Sequence, residues 1–138
     1  MDERFRRCIE ERKLVKIRIE KELVVKELKA AEEDLISAEN SIRKGDYKWA
    51  TIQSYYSMFH TARSLVLSRG YREKSHLCLS VALRNLFANR LEEKYFNNLR
   101  DCMALREDAD YGLIYSELSS KQALTWARDF IHVARLLI

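Results

Sequence analysis

The chain contains no proline and only three glycines among its 138 residues. Proline and glycine form most of the tight turns that connect strands, so a chain with so few of them has little material for a sheet. Charged residues make up 33% of the sequence, which suits the solvent-facing sides of amphipathic helices. The sequence therefore predicts an all-α fold of about five helices with no sheet, in a single domain over residues 1–138.

Apolar residues recur at helical spacing in the N-terminal half of the chain. Residues 1–44 follow one nearly unbroken helical pattern, which Gly45 ends. Residues 1–20 keep the period less well, so they form either a separate short helix or a frayed extension. Asp46 is placed to cap a second helix, which ends at Gly70.

Three further helices are predicted in the C-terminal half. Ser75 can cap the third helix, and the fourth runs over about residues 91–111 before Gly112 closes it. Ser119 and Gln122 have the spacing of a capping box at the start of the fifth.

The charge, the cysteine spacing and the hydropathy of the chain limit the partners, cofactors and locations that we expect. Twenty-five basic residues are interleaved with 21 acidic ones, which gives a net charge of +4. This charge is compatible with an RNA or nucleotide partner but does not by itself indicate one. Cys8, Cys78 and Cys102 are far apart and lack metal-ligand spacing, so we expect reduced, mostly buried thiols and neither a metal nor another cofactor. No segment has the length and apolarity of a membrane span or signal peptide, so we expect a cytoplasmic protein without membrane contact.

Three sequence features occur in a fixed order. They are YYSMFHTAR on the second helix, His76 after the following loop, and LREDADYG at the end of the fourth helix. Together they resemble the HEPN domain (higher-eukaryote and prokaryote nucleotide-binding), in particular its small free-standing prokaryotic branch, over roughly residues 20–135. The resemblance implies an antiparallel, up-and-down helical bundle that forms a homodimer. It also implies a minimal nucleotidyltransferase as partner, in a toxin–antitoxin-like pair.

The resemblance also bears on catalysis. Many HEPN domains are metal-independent ribonucleases that use an arginine followed, four to six residues later, by a histidine. Arg106 matches that arginine, but Tyr111 stands where the histidine would be. A phenol, with an ordinary pKa of about 10, is a poor general base at neutral pH. The sequence therefore favours a nucleotide-binding or interaction module over an enzyme.

Two alternatives to that module remain open. The first is a ribonuclease with a degenerate Arg106 and Tyr111 motif, which could also use His76. The second is a purely structural homodimer scaffold in which LREDADYG merely ends a helix. Homodimerisation itself is indicated by the resemblance and by the aromatic stripe of residues 47–68, which exceeds what one face of a bundle needs.

The predicted site lies around the end of the fourth helix. We expect Arg106 and Tyr111, the catalytic candidates, to lie close together at a partly exposed cleft once the last helical turn unwinds at Gly112. A structural explanation exists for several members, since Arg106 and Asp110 are spaced for an ion pair on one helix. The candidate nucleotide- or partner-binding residues are Arg106, Asp108, Asp110, Tyr111, His76 and Tyr55.

Three further sequence patterns suggest a functional role but only weakly support one. Arg69 and His76 have the ribonuclease spacing, but a glycine break separates them. His60 is more typical of a hydrogen-bonded core or interface residue than of a ligand. Tyr111 and Tyr115 are hydroxyls that a partner could modify, although Leu113 occupies the position of the family's acceptor tyrosine.

Overall fold

The computed structural model describes residues 2–138, and over this range it contains six α-helices and one two-stranded antiparallel sheet. The prediction of an all-α helical bundle is confirmed, with five long helices and one short N-terminal helix. The elements are α1 (Glu3–Glu10), β1 (Leu14–Lys16), α2 (Lys21–Arg43), α3 (Tyr47–Ser68), β2 (Tyr71–Glu73), α4 (His76–Phe87), α5 (Glu93–Tyr111) and α6 (Glu117–Leu137).

The N-terminal segment departs from the continuous helical pattern. Of the two alternatives for residues 1–20, the separate short helix is the one found, as α1. The prediction of no sheet is wrong for β1 and β2, which pair with Leu14 opposite Glu73. Leu14 is fully buried, so burial and hydrogen bonding to a distant strand override the weak helical period. That partner lies more than fifty residues away, so no local hairpin signal exists.

Helix α3 is the central helix of the bundle. It packs against α2, α4, α5 and α6, and 14 of its 22 residues are buried. Fully buried small residues such as Ala50, Ser54 and Ser57 let the neighbouring helices approach closely. Apart from Trp49, which is exposed, the aromatic stripe on this helix is therefore used inside the chain. It no longer indicates a homodimer, which stays a prediction.

Most of the predicted helix boundaries are confirmed. The side chain of Asp46 accepts a hydrogen bond from the Trp49 amide, and the Ser75 hydroxyl accepts one from the Cys78 amide. Gly45 adopts φ +76°, the left-handed conformation that favours glycine at a helix end.

Two boundaries differ from the prediction. The capping box of α6 is made by Ser116 and Ser119 rather than by Ser119 and Gln122, because the Ser119 hydroxyl takes the role usually given to Glu or Gln. Gly112 follows α5 as predicted, but with φ −96°. The left-handed residue is Leu113, at φ +54°.

Cys8 of α1 and Cys78 of α4 form a disulfide. The prediction of reduced thiols is therefore wrong for these two residues, because a sequence separation of 70 gives no sign that they are neighbours in space. Cys102 is a buried free thiol, and burial raises its pKa to about 12. Such a thiol is chemically inert at neutral pH.

The core follows α3 and draws on every helix. Its largest fully buried side chains include Phe87, Phe130, Met58 and Leu65. In the part of the chain that the structure describes, no helix combines the length and apolarity needed to span a membrane.

Candidate functional site

Arg106 extends from α5 towards α3 and is largely enclosed. Its Nη2 donates a hydrogen bond to the hydroxyl of Tyr56 at 2.9 Å and lies 3.3 Å from the carboxylate of Asp110. The predicted ion pair between Arg106 and Asp110 is thus confirmed. The side chain of Arg106 is only 14% exposed, so these contacts replace most of its hydration and fix the direction of the guanidinium.

Three tyrosine rings surround this guanidinium. Its carbon lies 5.7 Å from the ring centre of Tyr55, 5.4 Å from that of Tyr56 and 5.5 Å from that of Tyr111. Each is within the range at which an aromatic face attracts a cation. The cation is therefore stabilised without being fully neutralised by acids.

Arg106 and Tyr111 are neighbours, as predicted, but not for the predicted reason. Both belong to α5, which runs unbroken to Tyr111, so the last turn does not unwind. The two side chains are long enough to meet across the helix surface. Tyr111 is 75% exposed, so its ring forms the outer wall of the site.

His76 approaches the same site from the first turn of α4. Its Nδ1 lies 2.9 Å from the hydroxyl of Tyr55, and its ring lies 4.6 Å from that of Phe59. Tyr55 is 2% exposed, and burial raises its pKa well above the ordinary value. The phenol therefore stays protonated. Its hydroxyl contacts His76, and its ring lies beside the guanidinium of Arg106. The buried ring of Tyr55 offers no free face for stacking on a nucleotide base in this structure, and its role in ligand binding stays a prediction.

The environment of His76 favours its neutral form. Burial lowers the pKa of His76 below its ordinary value, and the charge of Arg106 lowers it further, against the opposing effect of Glu73. When Tyr55 donates to Nδ1, the neutral ring carries its proton on Nε2 and can donate there. We call the group of Arg106, Tyr56, Tyr111, Asp110 and His76 the Arg106 cleft.

The Arg106 cleft has unused capacity for hydrogen bonding. Both polar contacts of the guanidinium within residues 2–138 use Nη2, and Nε is buried without a hydrogen-bond partner. A buried donor without a partner is costly, and few occur in folded proteins. Nη1 of Arg106 and Nε2 of His76 are thus the groups that an incoming anion can engage.

A second polar cluster, formed by His60, Glu27, Arg63 and Glu73, lies next to the Arg106 cleft and contacts it through Phe59. His60 lies 2.6 Å from Glu27, which fits the prediction of a hydrogen-bonded residue rather than a ligand. Arg63 pairs with buried Glu73 at 2.7 Å, and its guanidinium lies 4.5 Å over the ring of Phe59. Phe59 packs against the imidazole of His76, so the contact of Arg63 with Phe59 helps to hold this imidazole in position. Among the described residues, no group of three or more acidic, histidine or cysteine side chains is arranged to hold a metal.

Sequence reasoning identified some members of the site and missed others. The structure brings together Arg106, Asp110, Tyr111, Tyr55 and His76, but it leaves Asp108 exposed on the helix surface. The main-chain carbonyl of Asp108 instead accepts hydrogen bonds from the Gly112 and Ile114 amides. Tyr56 and Phe59 were predicted as part of the buried stripe of the second helix and not as site residues.

Arg69, which has the ribonuclease spacing to His76, lies elsewhere. It follows α3, where it donates to the carbonyl of Leu86 and stacks on Phe87. About 20 Å of helix separates it from Tyr56. Arg69 is therefore not part of the Arg106 cleft.

The pKa of His76 provides a first test of this geometry. In a proton NMR titration we expect a pKa below 6.5, the ordinary value. In Arg106→Gln we expect a higher pKa, because one of the three lowering effects, which are burial and the charges of Arg106 and Arg63, is lost. As the pH falls from 6.5, the unfolded chain binds this proton before the folded protein does. Stability should therefore decrease until folded His76 is also protonated. A pKa at or above 6.5 would contradict the described contacts.

Comparison with known proteins bears on the family. The HEPN domain model matches residues 24–137, a range that contains both His76 and Arg106. The chain belongs to the HEPN domain family. This HEPN domain is 30% identical over 105 residues to a UPF0332 protein of Archaeoglobus fulgidus, across 74% of this chain and 82% of that protein. It is 29% identical over 101 residues to "Putative toxin MJ0142" of Methanocaldococcus jannaschii, across 72% and 68% of the two chains.

A solved structure supports the fold. The crystal structure of TT1696 from Thermus thermophilus superimposes with a TM-score of 0.73, covering 83% of this chain and 98% of that one. At 18% identity, the likeness concerns the fold alone. The fold of this chain therefore has a crystallographic counterpart.

Proposed function

We propose that this HEPN domain binds the phosphate ester of a nucleotide or of single-stranded RNA in the Arg106 cleft, without a metal. The observation that carries the proposal is that Arg106 and His76, from different helices, both contact buried Tyr55. A guanidinium and an imidazole N–H are both strong donors to phosphate oxygens. Nη1 of Arg106, which takes part in neither polar contact of the guanidinium, supports the presence of a ligand.

The local charge indicates modest affinity. Asp110 lies 3.3 Å from Arg106 and offsets part of its charge, and Glu107 and Asp108 are exposed on the same helix. Nucleic-acid affinity depends strongly on the number of phosphates that cations neutralise. A site with one paired arginine should therefore contact few phosphates and show a shallow dependence on salt.

Binding of a labelled, unstructured RNA, followed by fluorescence anisotropy, tests the proposal. Arg106→Gln should weaken binding by about tenfold or more, because a charge-assisted hydrogen bond is lost. Arg69→Gln is the matched control, with the same charge change outside the cleft, and should stay within about twofold. Equal losses in the two variants would show that only the net charge matters and would refute a site at Arg106.

A ribonuclease is the second candidate, and one observation favours it. His76 supplies, from α4, an imidazole that Tyr111 cannot replace, and its lowered pKa keeps it neutral. In the tautomer in which Nδ1 donates to the hydroxyl of Tyr55, Nε2 is free to accept a proton. Our proposal expects no cleavage of unstructured RNA in the presence of a chelator. Chelator-resistant cleavage that disappears in both His76→Gln and Arg106→Gln would replace the binding role with an enzymatic one.

We also propose that the chain is the toxin-side member of a toxin–antitoxin pair in the cytoplasm, as a homodimer with a minimal nucleotidyltransferase as partner. The name of the Methanocaldococcus jannaschii relative, a putative toxin, supports the first part. The connection between α5 and α6 offers a contact surface, since Leu113, Ile114 and Leu118 are 67–81% exposed. Copurification with the product of a neighbouring nucleotidyltransferase gene would support the pair. Light scattering that shows a monomer at all micromolar concentrations would end the homodimer proposal.

A further inference from the structure

A second cationic cavity lies between α1, α4 and α5. Its volume is about 420 Å³, within the roughly 300–1,000 Å³ typical of small-molecule sites. Each of the three helices contributes one arginine to its wall, namely Arg4, Arg84 and Arg100. The lining contains no acidic side chain. This cavity is separate from the Arg106 cleft, and none of its lining residues belongs to that cleft.

The three arginines are available to a ligand. Their acidic partners are Asp2, Glu93 and Asp101, none of which lines the cavity. These pairs are exposed to solvent, with 35–70% of each side chain accessible, and such pairs contribute little to stability. A multiply charged anion that contacts all three guanidinium groups can therefore compete with them.

Two contacts hold part of the cavity wall in place. The guanidinium of Arg84 lies 4.5 Å over the ring of Phe96, which restricts its orientation. Arg4 lies one helical turn before Cys8, whose disulfide to Cys78 fixes α1 against α4. A wall that is already in place reduces the entropy lost on binding.

The geometry points to a small ligand with two or more linked phosphoryl groups, bound by Arg4, Arg84 and Arg100. A single phosphodiester carries one negative charge, whereas linked phosphoryl groups carry several and can contact guanidinium groups on three sides. The apolar floor, which includes Leu83 and Leu99, can also accept an organic group attached to the phosphates. A long RNA strand fits less well, because basic and acidic residues are interleaved in this chain and no continuous basic stripe leads away from the cavity.

Isothermal titration calorimetry of the full chain tests this inference, with sodium tripolyphosphate, ATP and adenosine as probes in metal-free buffer. We expect tripolyphosphate and ATP to bind and adenosine not to bind. Tighter binding of ATP than of tripolyphosphate would identify the ligand as a nucleotide, and equal binding would identify the phosphate chain as sufficient. Failure of both to bind at millimolar concentration would overturn the inference.

Matched variants locate the site. Arg84→Gln with Arg100→Gln should weaken tripolyphosphate binding by about tenfold or more, because two charge-assisted contacts are lost. Arg128→Gln with Arg135→Gln removes the same charge from α6, where both arginines also pair with acids, and should change binding by less than about twofold. Equal weakening in the two double variants would overturn the inference.

Two further variants separate this site from other effects. Arg4→Gln, at a residue with 63% side-chain exposure, leaves the core untouched and should still weaken binding by about threefold. It therefore provides the test if the double variant does not fold. In the Arg106→Gln background, which removes the phosphate contact proposed for the Arg106 cleft, the Arg84→Gln and Arg100→Gln pair should still weaken tripolyphosphate binding by about tenfold or more. Loss of tripolyphosphate binding in Arg106→Gln alone would assign the probe to the Arg106 cleft instead.

Discussion

Replacing both Cys8 and Cys78 with alanine should lower the free energy of unfolding by about 2–4 kcal/mol. The disulfide closes a loop with a sequence separation of 70, and the chain-entropy account gives about 4 kcal/mol for a loop of that size. The lower end of the range allows for residual structure in the unfolded chain. The measurement is equilibrium denaturation in guanidinium chloride under oxidising conditions.

A reductant provides the control for this prediction. Wild type should lose stability in the presence of dithiothreitol, whereas the double alanine variant should be unaffected. Alkylation of the unfolded, unreduced protein should modify Cys102 alone, and reduction should make all three cysteines reactive. Three modified cysteines before reduction would show that the bond does not form.

Replacing Glu73 with alanine should lower the free energy of unfolding by about 2–4 kcal/mol, because it leaves Arg63 without its closest partner in a largely buried position. The Glu73 side chain is 3% exposed, and it receives bonds from Nε and Nη2 of Arg63. Arg63 keeps 27% of its surface exposed, which places the expected loss below that of a fully enclosed pair. Thermal or chemical denaturation gives the value.

The exposed pair of Glu39 and Arg128 is the matched control. Its atoms are 3.8 Å apart and both side chains are well exposed, so Glu39→Ala should cost less than about 1 kcal/mol. Glu73→Ala should also shift the NMR signals of His76, since Arg63 packs on Phe59 and Phe59 contacts that histidine. Similar losses in the two variants would contradict the role of burial in this pair.

The features that could be predicted from sequence are those with local causes. Asp46 and Ser75 cap their helices because a short side-chain acceptor reaches an amide two or three residues ahead, within one helical turn. The pairing of Arg106 with Asp110 follows in the same way from the pitch of an α-helix. These are contacts between residues that are close in sequence, and the spacing alone indicates them.

The features that escaped prediction depend on residues far apart in the chain. The disulfide and the pairing of β1 with β2 join segments separated by more than fifty residues. No pattern in either segment indicates which segment it pairs with. Tyr56 could have been found only by placing α5 beside α3, since its hydroxyl contacts Arg106 fifty residues away. The homodimer argument failed for a related reason, because an apolar stripe on α3 looks the same whether another chain or the rest of this chain covers it.

The most direct measurement of the central claim is an NMR titration that follows the Arg106 Nε–Hε group and the His76 ring as a short unstructured RNA is added. The proposal predicts that both signals move together and reach saturation, while the Nε–Hε signal of Arg69 does not move. The contrary result is saturable RNA binding, seen by anisotropy in the same sample, that leaves the signals of Arg106 and His76 unchanged.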